Sequence, residues 1–163
     1  MNTDPETTTT ALHDSPVSIR GKLAAAWTSF MFLYIYVDYL HLYKPGALED
    51  ILAGTVWEFD ISQTFVVIAL ASVAIPTLMI LLSVALPARV SRAINLVVAT
   101  LLIPYSAFNL VGGSWLYFYG LGVVLELIIL AYVLRSAWTW PRTASASRPV
   151  PAAPRNSQMQ LGR

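Results

Sequence analysis

ISQTFVVIALASVAIPTLMILLSVAL, residues 61–86, contains no charged side chain. A helix rises about 1.5 Å per residue, so about 20 apolar residues cross a hydrocarbon core of about 30 Å. This run exceeds that length, and it stops at Pro87, which has no amide hydrogen to carry a helix onward. It reads as a transmembrane helix with room to tilt, and Pro76 near its middle marks the expected kink. Three more runs have the same character. One spans about Leu23 to Tyr43 and is closed by Lys44-Pro45-Gly46. Another spans about Ala93 to Val111 with Pro104 inside it, and the last spans about Trp115 to Leu134. Gly112-Gly113 separates these two. Asp60 with Gln63 has the pattern of a reciprocal helix N-cap, and Ser91 and Ser114 are expected to cap the third and fourth spans.

Composition agrees with this reading. The 163 residues are 56% hydrophobic and 12% charged, against about 25% charged in soluble domains. The expected fold is therefore all-α, a four-helix transmembrane bundle over residues 17–142. Polar, Thr-rich residues 1–16 and Ala-, Ser-, Pro- and Arg-containing residues 143–163 are expected to be disordered tails. Arg20 and Lys22 before the first span invite comparison with a signal peptide. The apolar stretch is too long for one and no small-residue cleavage pattern follows, so the span is expected to be retained.

Orientation follows from Lys and Arg in the short flanks. Nine of the ten basic residues lie on one side if both termini are cytoplasmic; Lys44 alone lies in the first loop. That loop holds Glu49, Asp50, Glu58 and Asp60, and its Leu48, Ile51 and Leu52 fall at helical spacing. A short amphipathic helix on the outer face is predicted there, ended by Gly54 and followed by Trp57 as an interfacial anchor. The expected location is the inner cell membrane, and the first partner is the lipid bilayer.

Several chemistries are excluded. There is no cysteine, hence no thiolate nucleophile, iron–sulfur cluster or thiolate zinc site. A net charge of +1 argues against nucleic acid as a partner. Haem held by two histidines is excluded, because His13, the second of the chain's two histidines, lies in the tail. Asp38, His41 and Glu126 are ligand types for a metal, but the D-x-x-H spacing is common by chance and no metal is assigned. No phosphate-binding or nucleophile-elbow motif occurs, so no cofactor is implied.

The informative residues are the polar ones inside the spans. An ionised group at the bilayer centre costs roughly 2.5–3.5 kcal/mol on insertion scales, so acids there face the bundle and commonly serve function. Asp38 lies about 22 Å along the first span, in its outer third. Tyr34 and His41 share its face, one turn to either side. Glu126 falls near the midplane of the fourth span, on a face with Tyr119 and Gly122. Gly122 would admit a neighbouring backbone. Ser106 and Asn109 share a face of the third span. A polar, aromatic-rich outer pocket lined by Asp38, His41, Asn109, Tyr119 and Glu126, with Tyr34 beside it, is the expectation. The inner half looks nearly bare, with Asn95, Thr28 and Ser29. The competing reading is structural: Asp38 pairs with His41 or accepts from tyrosines, and Asn109 ties two helices.

Y-I-Y-x-D-Y-L at 34–40, I-P-T-L-M-I-L-L-S at 75–83, R-A-I-N at 92–95 and Y-F-Y-G-L-G-V-V-L-E at 117–126 together resemble a domain-of-unknown-function family of small four-helix bacterial membrane proteins. The resemblance covers about residues 20–140 and implies four membrane helices with no assigned activity. The architecture is also loosely similar to DoxX-type membrane proteins. The expected function is binding or transport of a small ligand or protons through the outer pocket, with Asp38 and Glu126 as protonatable groups. The alternative is an accessory subunit whose acids hold helices, a second copy of the chain or a partner membrane protein together. An enzyme acting on a lipid or quinone is the third class. A reporter fused into the loop at residues 44–60 should register the outer side; a cytoplasmic signal would overturn the topology.

Overall fold

The computed structural model describes residues 16–108, 110 and 115–141. The expected tails lie outside them except for Pro16, as do Gly112-Gly113 and Ser114. The elements are α1 (Ile19–His41), α2 (Ala47–Leu52), β1 (Thr55–Val56), β2 (Phe59–Asp60), α3 (Gln63–Ala85), α4 (Ala88–Phe108) and α5 (Leu116–Trp138). α1, α3, α4 and α5 are each long and apolar enough to cross a membrane. Their limits differ from the hydropathy runs by a few residues: α1 and α4 begin earlier and α5 ends later, in flanks that apolar counting omits, while α3 is shorter than its run at both ends. α4 shows the largest shift, starting at Ala88 rather than near Ala93. Pro76 and Pro104 both lie inside continuous helices.

The helices form a ring in the order α1, α3, α4, α5, with α3 touching α4 least. Both described chain ends lie at one end of the bundle, called here the termini end. The α2 and hairpin loop lies at the other, the loop end. Large apolar side chains on α3, among them Val67, Ile68, Leu70, Leu78 and Leu81, are exposed. So many exposed apolar groups suit hydrocarbon rather than water as the surrounding solvent. Leu23, Trp27, Phe30, Met79, Leu130 and Val133 fill the core.

The loop confirms the short helix and adds a hairpin that the sequence did not announce. β1 pairs antiparallel with β2, Thr55 against Asp60 and Val56 against Phe59. The turn carries Trp57 at φ 55, a left-handed backbone where glycine is the usual occupant. Gly46 and Gly54, at φ 89 and 88, bracket α2 and can adopt that region without a Cβ clash. The side chain of Trp57 packs edge-on against Phe59, which stacks on Phe65 at the start of α3.

Two expected caps are corrected. Ser62, not Asp60, caps α3, its hydroxyl accepting from Phe65 N at 3.1 Å. Asp60 is instead in β2. Ser91 does not cap α4 but lies within it, fully buried. Its hydroxyl donates to the Ser83 carbonyl at 3.1 Å. That carbonyl would ordinarily receive the amide of residue 87, which proline lacks. A serine hydroxyl thus replaces the missing donor at the α3–α4 junction.

The termini end is also less bare than its sequence suggests. Asn95, fully buried on α4, collects donors and acceptors from three segments. Trp27 Nε1 on α1 donates to Asn95 Oδ1 at 2.6 Å. Asn95 Nδ2 donates to the Ser91 carbonyl at 2.8 Å and to Ser83 Oγ on α3 at 3.2 Å. Ser83 Oγ also lies 3.3 Å from Asn95 Oδ1 as a donor. Arg92 Nε reaches the Ala137 carbonyl near the end of α5 at 3.0 Å, and Arg20 reaches the Val84 carbonyl on α3 at 3.4 Å. These carbonyls lie in final helical turns, where no amide follows to donate and where a cation suits the helix dipole.

Replacing Asn95 with Ala strands a tryptophan N–H and a serine hydroxyl in the core. The expected loss is about 1–3 kcal/mol, read as a lower midpoint in detergent unfolding. An unchanged midpoint would show that the network does not hold the bundle.

Candidate functional site

At the loop end the polar groups are arranged differently. The i, i+3, i+4, i+7 spacing puts Trp27, Phe30, Met31, Tyr34, Asp38 and His41 along one face of α1. The deeper members are buried and pack as core, with Trp27 and Phe30 edge to face and Phe30 stacked on Tyr34. The outer members carry the polar atoms. Opposite them, α5 presents Tyr119, Gly122 and Glu126.

Gly122 is what lets α1 and α5 meet. A Cβ built on it would lie 3.0 Å from Val37 Cγ2, tighter than most real Cβ contacts. The glycine is in a regular helix, so closeness and not backbone freedom is its role here. The contact sets Asp38, the residue after Val37, against the α5 face that carries Tyr119 and Glu126. Asp38 is within electrostatic reach of Tyr34, Tyr119 and Glu126.

All the expected residues except Asn109 can now be placed. His41 Nδ1 shares a hydrogen bond with the Tyr119 hydroxyl, joining the outer turns of α1 and α5. His41 is therefore not the partner of Asp38. Asp38 is exposed at the loop end and makes no hydrogen bond or ion pair among the described residues. Tyr34 is half-buried, and its hydroxyl lies 3.0 Å from that of Tyr105 on α4, across the middle of the ring. Tyr105 in turn reaches Ser72 on α3 at 3.4 Å. Asn109 lies outside the described residues.

Glu126 differs from all of these. Only 1% of it is exposed, the lowest exposure of any acid in the bundle. The Ser106 hydroxyl on α4 faces its carboxyl. Yet Ser106 Oγ and Glu126 Oε2 are both buried without a hydrogen-bond partner among the described residues. A buried polar atom left unpaired costs about 1–3 kcal/mol, and more for a charged group. The bundle tolerates at Glu126 what it avoids at Asn95.

The sequence reading placed Ser106 on a face with Asn109 but gave no role to it, to Tyr105 or to Ser72. The α3–α4 seam is thinly packed there. A cleft of about 180 Å³ opens between Ile75, Val98, Leu101 and Leu102, with Ser72 and Tyr105 supplying its polar atoms. A serine one turn before a proline, as Ser72 stands to Pro76, is the signal that was available. Pro76 cannot donate to the Ser72 carbonyl, so the backbone there carries a spare acceptor.

Among the described residues no group of three His, Asp or Glu side chains is positioned to hold a metal ion. The sequence pattern of the Family of unknown function (DUF6326) matches residues 14–147, and the chain belongs to that family. No curated protein and no solved structure matches the chain.

Replacing Gly122 with Ala requires Val37 or its helix to give by a few tenths of an ångström. Overpacking of this kind costs about 1–3 kcal/mol, expected as reduced thermal stability in detergent. Adding Val37→Ala should recover part of the loss. Two effects that simply add, with no coupling between the sites, would refute the close contact.

Proposed function

We propose that this member of a family of unknown function binds or transports a small ligand or protons through the loop-end polar layer. Asp38 and Glu126 are the groups that take up and release the proton. One observation carries this reading: a glutamate sealed inside a membrane bundle with a carboxyl oxygen left without a partner. Structural acids in a low-dielectric interior are paired, because an unpaired one is costly. An acid kept unpaired there is available to a proton or ligand. Asp38, exposed and unpaired among the described residues at the mouth of the same layer, is the group through which solvent or ligand first meets it.

In the same reading both termini face the cytoplasm and the membrane is the inner cell membrane. The support is the distribution of charge. Arg20, Lys22, Arg89, Arg92 and Arg135 cluster at the termini end, while the loop end holds one lysine against four carboxylates. The structural alternative, an accessory subunit, draws on the His41–Tyr119 and Tyr34–Tyr105 links and on the exposed apolar face of α3, which could seat a partner helix.

The two readings separate under the same substitutions. In proteoliposomes with an imposed pH gradient, Asp38→Asn with Glu126→Gln should abolish proton-coupled flux while leaving the bundle folded. Flux and pH dependence retained in the double variant would refute the proton-linked role. A fall in thermal stability or a change in oligomeric state, with no flux in the native chain, would select the accessory subunit.

A further inference from the structure

We propose that the groove between α4 and α5 at the termini end is a binding site for one anionic phospholipid of the leaflet at that end. The proposal does not rest on the proton-linked reading, and it concerns the opposite end of the bundle.

The groove measures about 460 Å³, against about 180 Å³ for the cleft between α3 and α4. That is the size of a small-molecule site. Leu96 and Thr100 line it from α4, and Leu134, Arg135, Trp138 and Thr139 from α5. Elsewhere the two helices share one of the most extensive contacts of the ring.

The walls select the chemistry of the occupant. Thr100 Oγ1 donates to the Leu96 carbonyl at 2.7 Å, and Thr139 Oγ1 donates to the Arg135 carbonyl at 2.8 Å. Both hydroxyl hydrogens are thus taken up by the helices' own backbone. The groove offers a ligand mainly apolar surface, with Arg135 as the one charged side chain of its lining. A soluble anion would meet hydrocarbon on most sides. A neutral chain would leave the guanidinium without a counterion. An amphiphile with an anionic head answers both.

The order of charge and apolar wall along the seam matches that of head and chain. Arg92 Nε donates to the Ala137 carbonyl at 3.0 Å, which fixes a second guanidinium at the foot of the same seam. Leu96 and Thr100 follow at four-residue steps, about 6 and 12 Å deeper along α4. Trp138, exposed at the rim, is the residue type that settles at headgroup level. The last turn of a helix ordinarily repels an anion through its spare carbonyls. Here Arg92 covers the carbonyl of Ala137, and Thr139 covers that of Arg135 with both its amide and its hydroxyl. Among the described residues no carboxylate lies at this end to compete for the arginines. Positive-inside orientation accounts for basic flanks but does not call for a groove beside them.

The test adds lipid to the purified full-length chain in detergent and counts bound molecules by native mass spectrometry. Dioleoyl phosphatidylglycerol is the anionic probe, and dioleoyl phosphatidylcholine is the control with the same chains. Retention of one phosphatidylglycerol in preference to phosphatidylcholine is expected. Arg135→Gln should weaken it about fivefold, the scale of one basic side chain at an anionic surface, and Arg135→Lys should keep most of it. Thr100→Phe fills the groove without changing charge and should weaken it too. Arg89→Gln removes a charge at the same end but outside the groove lining, and should leave binding unchanged. All three positions are exposed, so lost binding reads the groove and not the fold. Equal retention of the two lipids, or of neither, would overturn the proposal. Equal losses in Arg89→Gln and Arg135→Gln would overturn it in favour of diffuse surface attraction. Displacement of the lipid by inorganic phosphate would overturn it in favour of a soluble-anion site. A dimer that Thr100→Phe dissolves would instead assign the groove to a second copy of the chain.

Discussion

Hydrocarbon offers no partner to a stray amide or carbonyl, and the bundle is organised around that constraint. Helices satisfy their own backbone except in the first and last turns and at prolines. The termini end shows three of these exceptions met by side chains. Ser91 donates to the Ser83 carbonyl that Pro87 leaves without an amide. Arg92 and Arg20 donate to carbonyls in the last turns of α5 and α3. Basic residues at this end thus complete the helix ends they flank. Asn95 joins α1, α3 and α4 with its own amide group fully used.

The loop end departs from this rule in one place, and the departure locates the site. Tyr34, Tyr105 and Ser72 form a chain of hydroxyls across three helices, and His41 with Tyr119 ties the fourth. Those contacts are ordinary interhelical bonds, worth about 0.6 kcal/mol each on average in membranes. Glu126 and Ser106 face each other inside this framework with atoms still unpaired. Two polar layers of similar composition therefore differ in completeness: one is closed, and the other keeps capacity in reserve.

Much of the fold was legible because hydrocarbon thickness sets a length that a sequence either reaches or does not. The four runs reached it, and glycine and proline punctuated them. The hairpin was not legible. Its strands are two residues each, too short to alternate, and its turn uses Trp57 where a glycine would have been the signal. Ser91 misled for a different reason: a serine before an apolar run has the pattern of a cap, and only the geometry of Pro87 shows why it is needed further inside. Helical periodicity groups Tyr34, Asp38 and His41 on one face, and Tyr119, Gly122 and Glu126 on another. It could not say which atoms meet. That depends on how four cylinders are turned toward one another, and a single chain carries no record of it. His41 therefore went to Tyr119 rather than Asp38, and the network around Asn95 went unseen.

The Asn95 network and the Pro87 junction also have a mechanical consequence. Together they clamp α1, α3 and α4 at one end, while the α3–α4 seam toward the other is thinly packed and carries a cleft. The bundle is built like forceps, closed at the handle. Trp27 and His41 are separated by about 21 Å along α1 at 1.5 Å per residue. A tilt of about 5° at the clamp therefore moves the outer turn by about 2 Å. That displacement is comparable to the reach of a hydrogen bond, the length scale of the His41–Tyr119 and Tyr34–Tyr105 links at the loop end.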